Sequence, residues 1–88
     1  GGDRAVREMK ERLLQEGERQ AELLLSTAEC YYEENGSATR ASERLHLHKN
    51  SLLYRMKRLH QLLGIEEDTA FVREFYVRLL LEYWNQNF

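Results

Sequence analysis

Apolar residues recur along this chain at intervals of three and four, proline is absent, and no segment alternates polar and apolar residues over a useful strand length. These observations predict an all-α domain of about five helices, a three-helical core with one flanking helix at each end. With 88 residues there is room for one domain, which at this size buries only about 60–65% of the surface its unfolded chain exposes. Apolar runs such as Leu23–Leu25 and Leu79–Leu81 are too short to span a membrane. Nothing at the start reads as an export signal, and the one cysteine, Cys30, has no partner in the chain; both point to the cytoplasm. Gly1 and Gly2 read as a cloning remnant or a cut point, so the chain is expected to be a piece of something longer.

The first helix is expected from residue 3 to about 16, with Asp3 as a candidate cap and Gly17 as its break. Its apolar strip is thin (Val6, Met9, Leu13 and, at the edge, Leu14), so residues 1–18 are read as a linker or peripheral helix. The domain proper then occupies 19–88. A stronger helix over 19–35 carries Ala21, Leu24, Leu25, Ala28, Tyr31 and Tyr32 at helical spacing. Asn35 and Gly36 end it, because both residues tolerate the left-handed conformation found just past a helix C-terminus. Ser37 is the N-cap of a short helix through about Leu45, with Ala38, Ala41 and Leu45 as its apolar stripe. The next helix begins near Lys49 and places Leu52, Met56, Leu59 and Leu63 on one face before Gly64 closes it. A last helix starts at Asp68 or Thr69 and is apolar around most of its circumference, through Phe71, Val72, Phe75, Tyr76, Val77, Leu79, Leu80, Leu81, Tyr83 and Trp84.

The stretch 37–63 carries the functional information. A short helix, a tight turn and a longer helix with a polar outer face is the plan of a helix-turn-helix. Close crossing of the two helices needs small residues in the first, which Ala41 and Ser42 supply, and Leu45, Leu47 and Leu52 can set the angle between them. The turn position after Leu45, where glycine is usual, holds His46, so a left-handed turn is possible there at some cost. Opposite the apolar face of 49–63 lie Asn50, Tyr54, Lys57, Arg58 and Gln61, within roughly 100° of arc. Charge follows the same division. Residues 36–63 hold Arg40, Arg44, Lys49, Arg55, Lys57 and Arg58 against Glu43, while acids outnumber bases on either side. The formal net charge of −2 therefore hides a cationic block between two anionic ones.

Leu47-His48-Lys49-Asn50-Ser51-Leu52-Leu53-Tyr54-Arg55-Met56-Lys57-Arg58-Leu59 resembles the C-terminal DNA-binding domain of the PucR/CdaR family of bacterial transcription regulators. That family's run is V-H-R-N-T-L-x-Y-R-L-x-R-I. Here Lys49, Ser51, Met56 and Leu59 replace its arginine, threonine, leucine and isoleucine, and Leu63-Gly64 stands where it has Thr-Gly. The likeness extends over about residues 21–84, with a lead-in at Leu23, Ser26–Thr27 and Tyr31–Gly36, and is loose over 1–20. The resemblance implies DNA binding, transcriptional control and a sensor region upstream.

Individual residues can be assigned roles on physical grounds. Lys49 and Asn50 start the candidate recognition helix, where lysine suits guanine and asparagine suits adenine. Ser51 is open to two readings, base contact or helix cap. Tyr54 would meet a thymine methyl or a phosphate, and Arg55, Lys57 and Arg58 read as phosphate clamps. Arg40 and Arg44 either touch the backbone from the short helix, or belong to a solvated face or an intrahelical pairing with Glu43. His48 either hydrogen-bonds across the turn or donates to a phosphate.

No metal site or cofactor is expected. His46 and His48 are two apart, His60 is a helix away, and Cys30 has no companion at ligand spacing. No nucleophile–base arrangement and no glycine-rich phosphate loop points to an enzyme. The expected partner is double-stranded DNA, bound as a homodimer through Phe71, Phe75, Tyr83 and Trp84 of the last helix, unless that helix completes the core of its own chain. The competing reading is a helical protein-interaction or dimerisation module whose basic face meets an acidic protein.

Overall fold

The computed structural model describes residues 2–86 and contains five helices: α1 (Gly2–Leu14), α2 (Glu18–Glu33), α3 (Ala38–Arg44), α4 (Lys49–Leu63) and α5 (Ala70–Trp84). Gly1 and the last two residues of the stretch read as 19–88 lie outside the described residues. The all-α expectation and the order of the five helices hold, and the helix limits differ by a few residues at most. Local chemistry explains most of the ends. Asn35 (φ 56°) and Gly36 (φ 77°) turn the chain out of α2 through the left-handed region. The hydroxyls of Ser37 and Thr69 accept hydrogen bonds from the backbone N–H of Arg40 and Val72, capping α3 and α5. Gly64, at φ 73°, closes α4. Asp3 lies inside the first turn of α1 rather than capping it, where its charge favours the positive end of the helix.

The core centres on α4. Its inner face, Leu52, Met56, Leu59 and Leu63, is buried, and α4 packs against α1, α2 and α3. The fifth helix packs on α1 and α2 instead, with Val77 and Leu80 fully buried. Between α2 and α3 the contact is close. Cys30 is buried there with its Sγ 3.9 Å from the Ala41 carbonyl, and burial pushes its thiol pKa up.

Two expectations change. The first helix is not peripheral, because Val6, Met9 and Leu13 are all buried and α1 packs on both α4 and α5. Its strip is narrow, but α4 and α5 meet it from two sides. Lys10 adds to the seal, its ammonium lying 4.8 Å from the Trp84 ring and 5.6 Å from that of Tyr83. The second change concerns α5, whose apolar surplus is mostly consumed within the chain. Tyr83 is buried and Trp84 is half-buried against the core, so these two do not share an open surface with Phe71 and Phe75. Only that last pair stands clear, 80% and 53% exposed. None of the described helices is long and apolar enough to cross a membrane.

His60 sits on the flank of α4, its Nε2 buried without a hydrogen-bond partner among the described residues. Burial, helped by the charge of Arg73, lowers its pKa from 6.5 to about 4. Lys57, Glu66 and Glu67 line the same groove.

Truncating Leu13 or Leu52 to alanine is expected to cost about 2–5 kcal/mol in thermal or urea unfolding; a Leu13→Ala protein that melts like the parent would show α1 undocked. Because the unfolded histidine takes up its proton first on acidification, stability is whole above pH 6.5 and falls until about pH 4. The loss should be on the order of 2 kcal/mol, after discounting for the partial exposure of the ring. His60→Gln should flatten that part of the profile, and an unchanged profile would place the pH dependence elsewhere.

Candidate nucleic-acid interface

The turn between α3 and α4 is built by residues that serve the backbone first. Leu45 ends α3, and His46 takes the left-handed conformation at φ 55° that the sequence anticipates. For a residue with a Cβ this costs about 1–2 kcal/mol relative to glycine. The Leu47 N–H then donates to the Ser42 carbonyl at 2.8 Å, which ties the turn back to α3. His48 is extended and caps α4, its Nδ1 accepting from the Asn50 N–H at 3.1 Å. The hydrogen bond expected across the turn is thus made along the chain instead. Ser51 lies past the cap, so the capping role open to it belongs to His48. Since Nδ1 accepts, the neutral ring carries its proton on Nε2, leaving that nitrogen a donor.

With one face of α4 buried, the opposite face is set. Asn50, Ser51, Tyr54, Lys57 and Gln61 are exposed along it, and Lys49 is exposed at the start of the helix. Tyr54 is 68% exposed, and Leu53, which sequence reasoning passed over, is 43% exposed beside it. Neither Lys49 nor Lys57 has an ion-pair partner among the described residues, and the same holds for Arg40 on the exposed side of α3. A cluster of free cations, an amide and a phenol around a helix N-terminus is suited to anions and to flat, hydrogen-bonding edges.

The arginines are arranged differently. Arg55 is half-buried and donates through Nη1 to Thr27 Oγ1 at 3.1 Å, while the Thr27 hydroxyl donates to the Leu23 carbonyl at 2.8 Å. Arg58, also half-buried, donates to Glu16 at 3.0 Å. Arg44 does not pair with Glu43. It bridges Glu33, the last residue of α2, at 2.7 Å and Glu34, just past it, at 3.2 Å, and those hydrogen bonds raise its pKa further. The pairing of Thr27 with Arg55 and of Glu16 with Arg58 is marked by no local pattern, because both partners act from elements distant in sequence. Among the described residues no three metal-binding side chains converge.

Replacing His48 with alanine should lower stability by about 0.5–2 kcal/mol, and serine at the same position should restore most of it. Equal melting of the His48→Ala protein and the parent would show that the cap contributes nothing.

A family model described as the PucR C-terminal helix-turn-helix domain matches residues 24–81. No curated protein and no solved structure shows significant similarity to the chain. The match takes in all of α3, the turn and α4, together with most of α2 and α5, and leaves α1 outside. With the match covering more than half the chain, and the turn and capped helix in the places that such a domain requires, this chain belongs to the PucR C-terminal helix-turn-helix family.

Proposed function

We propose that this domain binds duplex DNA by laying α4 in the major groove, as the DNA-binding part of a cytoplasmic bacterial transcription regulator whose sensor region lies upstream. The reading is carried by one observation: the outward face of α4 presents Asn50, Ser51, Tyr54 and Lys57 to solvent, with Lys49 exposed beside them at the capped start of the helix. In this reading Asn50 and Lys49 meet base edges, Tyr54 meets a thymine methyl or a phosphate, and Lys57 meets the backbone. His48 offers its Nε2–H to a phosphate beside the helix start. Arg55, held by Thr27, reaches the backbone only with the part of its guanidinium that faces solvent. Arg40 approaches the same strand from α3, whereas Arg44 has to give up Glu33 and Glu34 to do so. The domain acts by binding and not by catalysis.

A two-fold pair of such domains would set its recognition helices about 34 Å apart, one turn of duplex. Phe71 and Phe75 are the part of the expected dimer surface left open, and their exposure supports a contact with a second copy.

Fluorescence anisotropy against random and selected duplexes, over a range of salt, tests the reading. Binding should weaken steeply as salt rises. Lys57→Ala should weaken all duplexes alike and reduce the salt slope by about one. Asn50→Ala should relax discrimination at one base pair by about 1–3 kcal/mol. Failure to bind any duplex, with retention of an acidic protein partner, would favour the protein-interaction reading.

A further inference from the structure

Among the described residues one ion pair involves α4, and it joins the candidate recognition helix to the turn between α1 and α2. Arg58 Nη2 donates to Glu16 Oε1 at 3.0 Å across a sequence separation of 42 residues. On the helix wheel Arg58 lies about 80° from Asn50, on the flank of the outward face. The two side chains are 38% and 32% exposed, so solvent and other ions reach the pair. Nothing else around α4 is arranged this way. Arg55 is held by a neutral hydroxyl, Lys49 and Lys57 have no ion partner among the described residues, and the carboxylates that hold Arg44 sit at the C-terminal end of α2.

A carboxylate and a phosphate offer a guanidinium much the same thing, two charged acceptor oxygens at hydrogen-bond distance. An ion pair this exposed is also weak, so a duplex backbone can displace it. We infer that Glu16 is an internal stand-in for a DNA phosphate, holding Arg58 in the free protein and giving it up when α4 enters the groove. This rests on the DNA-binding reading above. Two effects oppose binding. The pair has to break before Arg58 gains a phosphate, and the freed carboxylate then stands as a negative charge beside the backbone. Both act on phosphates, which every duplex shares, so Glu16 lowers affinity without regard to sequence and leaves discrimination to the base contacts. Glu16 also lies before residues 24–81, so this restraint belongs to the segment outside the family match.

The test is a double-mutant cycle on the full chain, read by anisotropy against one random and one selected duplex over a range of salt. Glu16→Gln should tighten binding to both duplexes by about three- to tenfold. The salt slope should change by less than the roughly 0.9 that one further phosphate would add, because Arg58 neutralises the same phosphate in both proteins. Arg58→Gln should weaken binding, and in that background Glu16→Gln should have a clearly smaller effect, the part due to the charge of the carboxylate alone. Both positions are partly exposed, and unchanged far-ultraviolet circular dichroism and melting would confirm that each variant folds. If the parent binds and Glu16→Gln binds equally or more weakly, Glu16 does not restrain Arg58 and the inference is overturned alone. An undiminished Glu16→Gln effect in the Arg58→Gln background would also overturn it, by showing general charge repulsion. A parent chain that binds no duplex would instead overturn the DNA-binding reading, and this inference with it.

Discussion

Leu52, Met56, Leu59 and Leu63 form one buried face of α4, and α1, α2 and α3 close over it. Burying such side chains is worth about 1.5–3 kcal/mol each. Turning α4 by one residue about its axis would move charged and polar groups into that space and carry leucines out of it. Burying an unpaired charge is more costly than any gain such a rotation offers. Rotation of the helix is therefore settled by its apolar side, and the polar side faces solvent as a consequence. Any function of Asn50, Tyr54 and Lys57 depends on that constraint, although none of the three contributes to the core.

The helix is also fixed along its length, and here the turn matters more than the core. His46 accepts a left-handed backbone that glycine would adopt without strain, and the Leu47 N–H to Ser42 bond holds the chain in that bend. His48 follows in an extended conformation and satisfies the Asn50 N–H. Two histidines close together in sequence thus do different work, one through its backbone and one through its ring. A metal-binding interpretation of the pair has no need to be invoked, since each has its own structural use.

Electrostatics show how far a count of charges is from a surface. Six bases fall in residues 36–63. In the folded chain Arg44 and Arg58 are paired with carboxylates and Arg55 is held by Thr27, while Arg40, Lys49 and Lys57 have no ion partner among the described residues. The acids that engage the arginines come from the C-terminal end of α2 and from the turn after α1. The long arginine side chain, with its fork of donors, reaches such neighbours readily; the lysines at the start and middle of α4 stay open.

Helix number, the turn between α3 and α4, and the apolar face of α4 were legible in the sequence by itself. Each depends on residues within about a turn of one another: three- and four-residue spacing, Asn35-Gly36, Ser37, Gly64. The outward placement of Asn50, Tyr54 and Lys57 was legible for the same reason, being the complement of that apolar face. Only the tertiary structure decided what the ends of the chain do. Val6, Met9 and Leu13 are too few to show whether they bury until α4 and α5 are seen to flank them. Likewise the apolar residues of α5 divide into a buried set (Val77, Leu80, Tyr83), a half-buried set with Trp84 and an exposed pair, Phe71 and Phe75, once α1 and α2 pack against it. The partners of Arg44, Arg55 and Arg58 lie 10 to 42 residues away. Periodicity and capping are local, whereas burial and ion pairing depend on which distant elements meet.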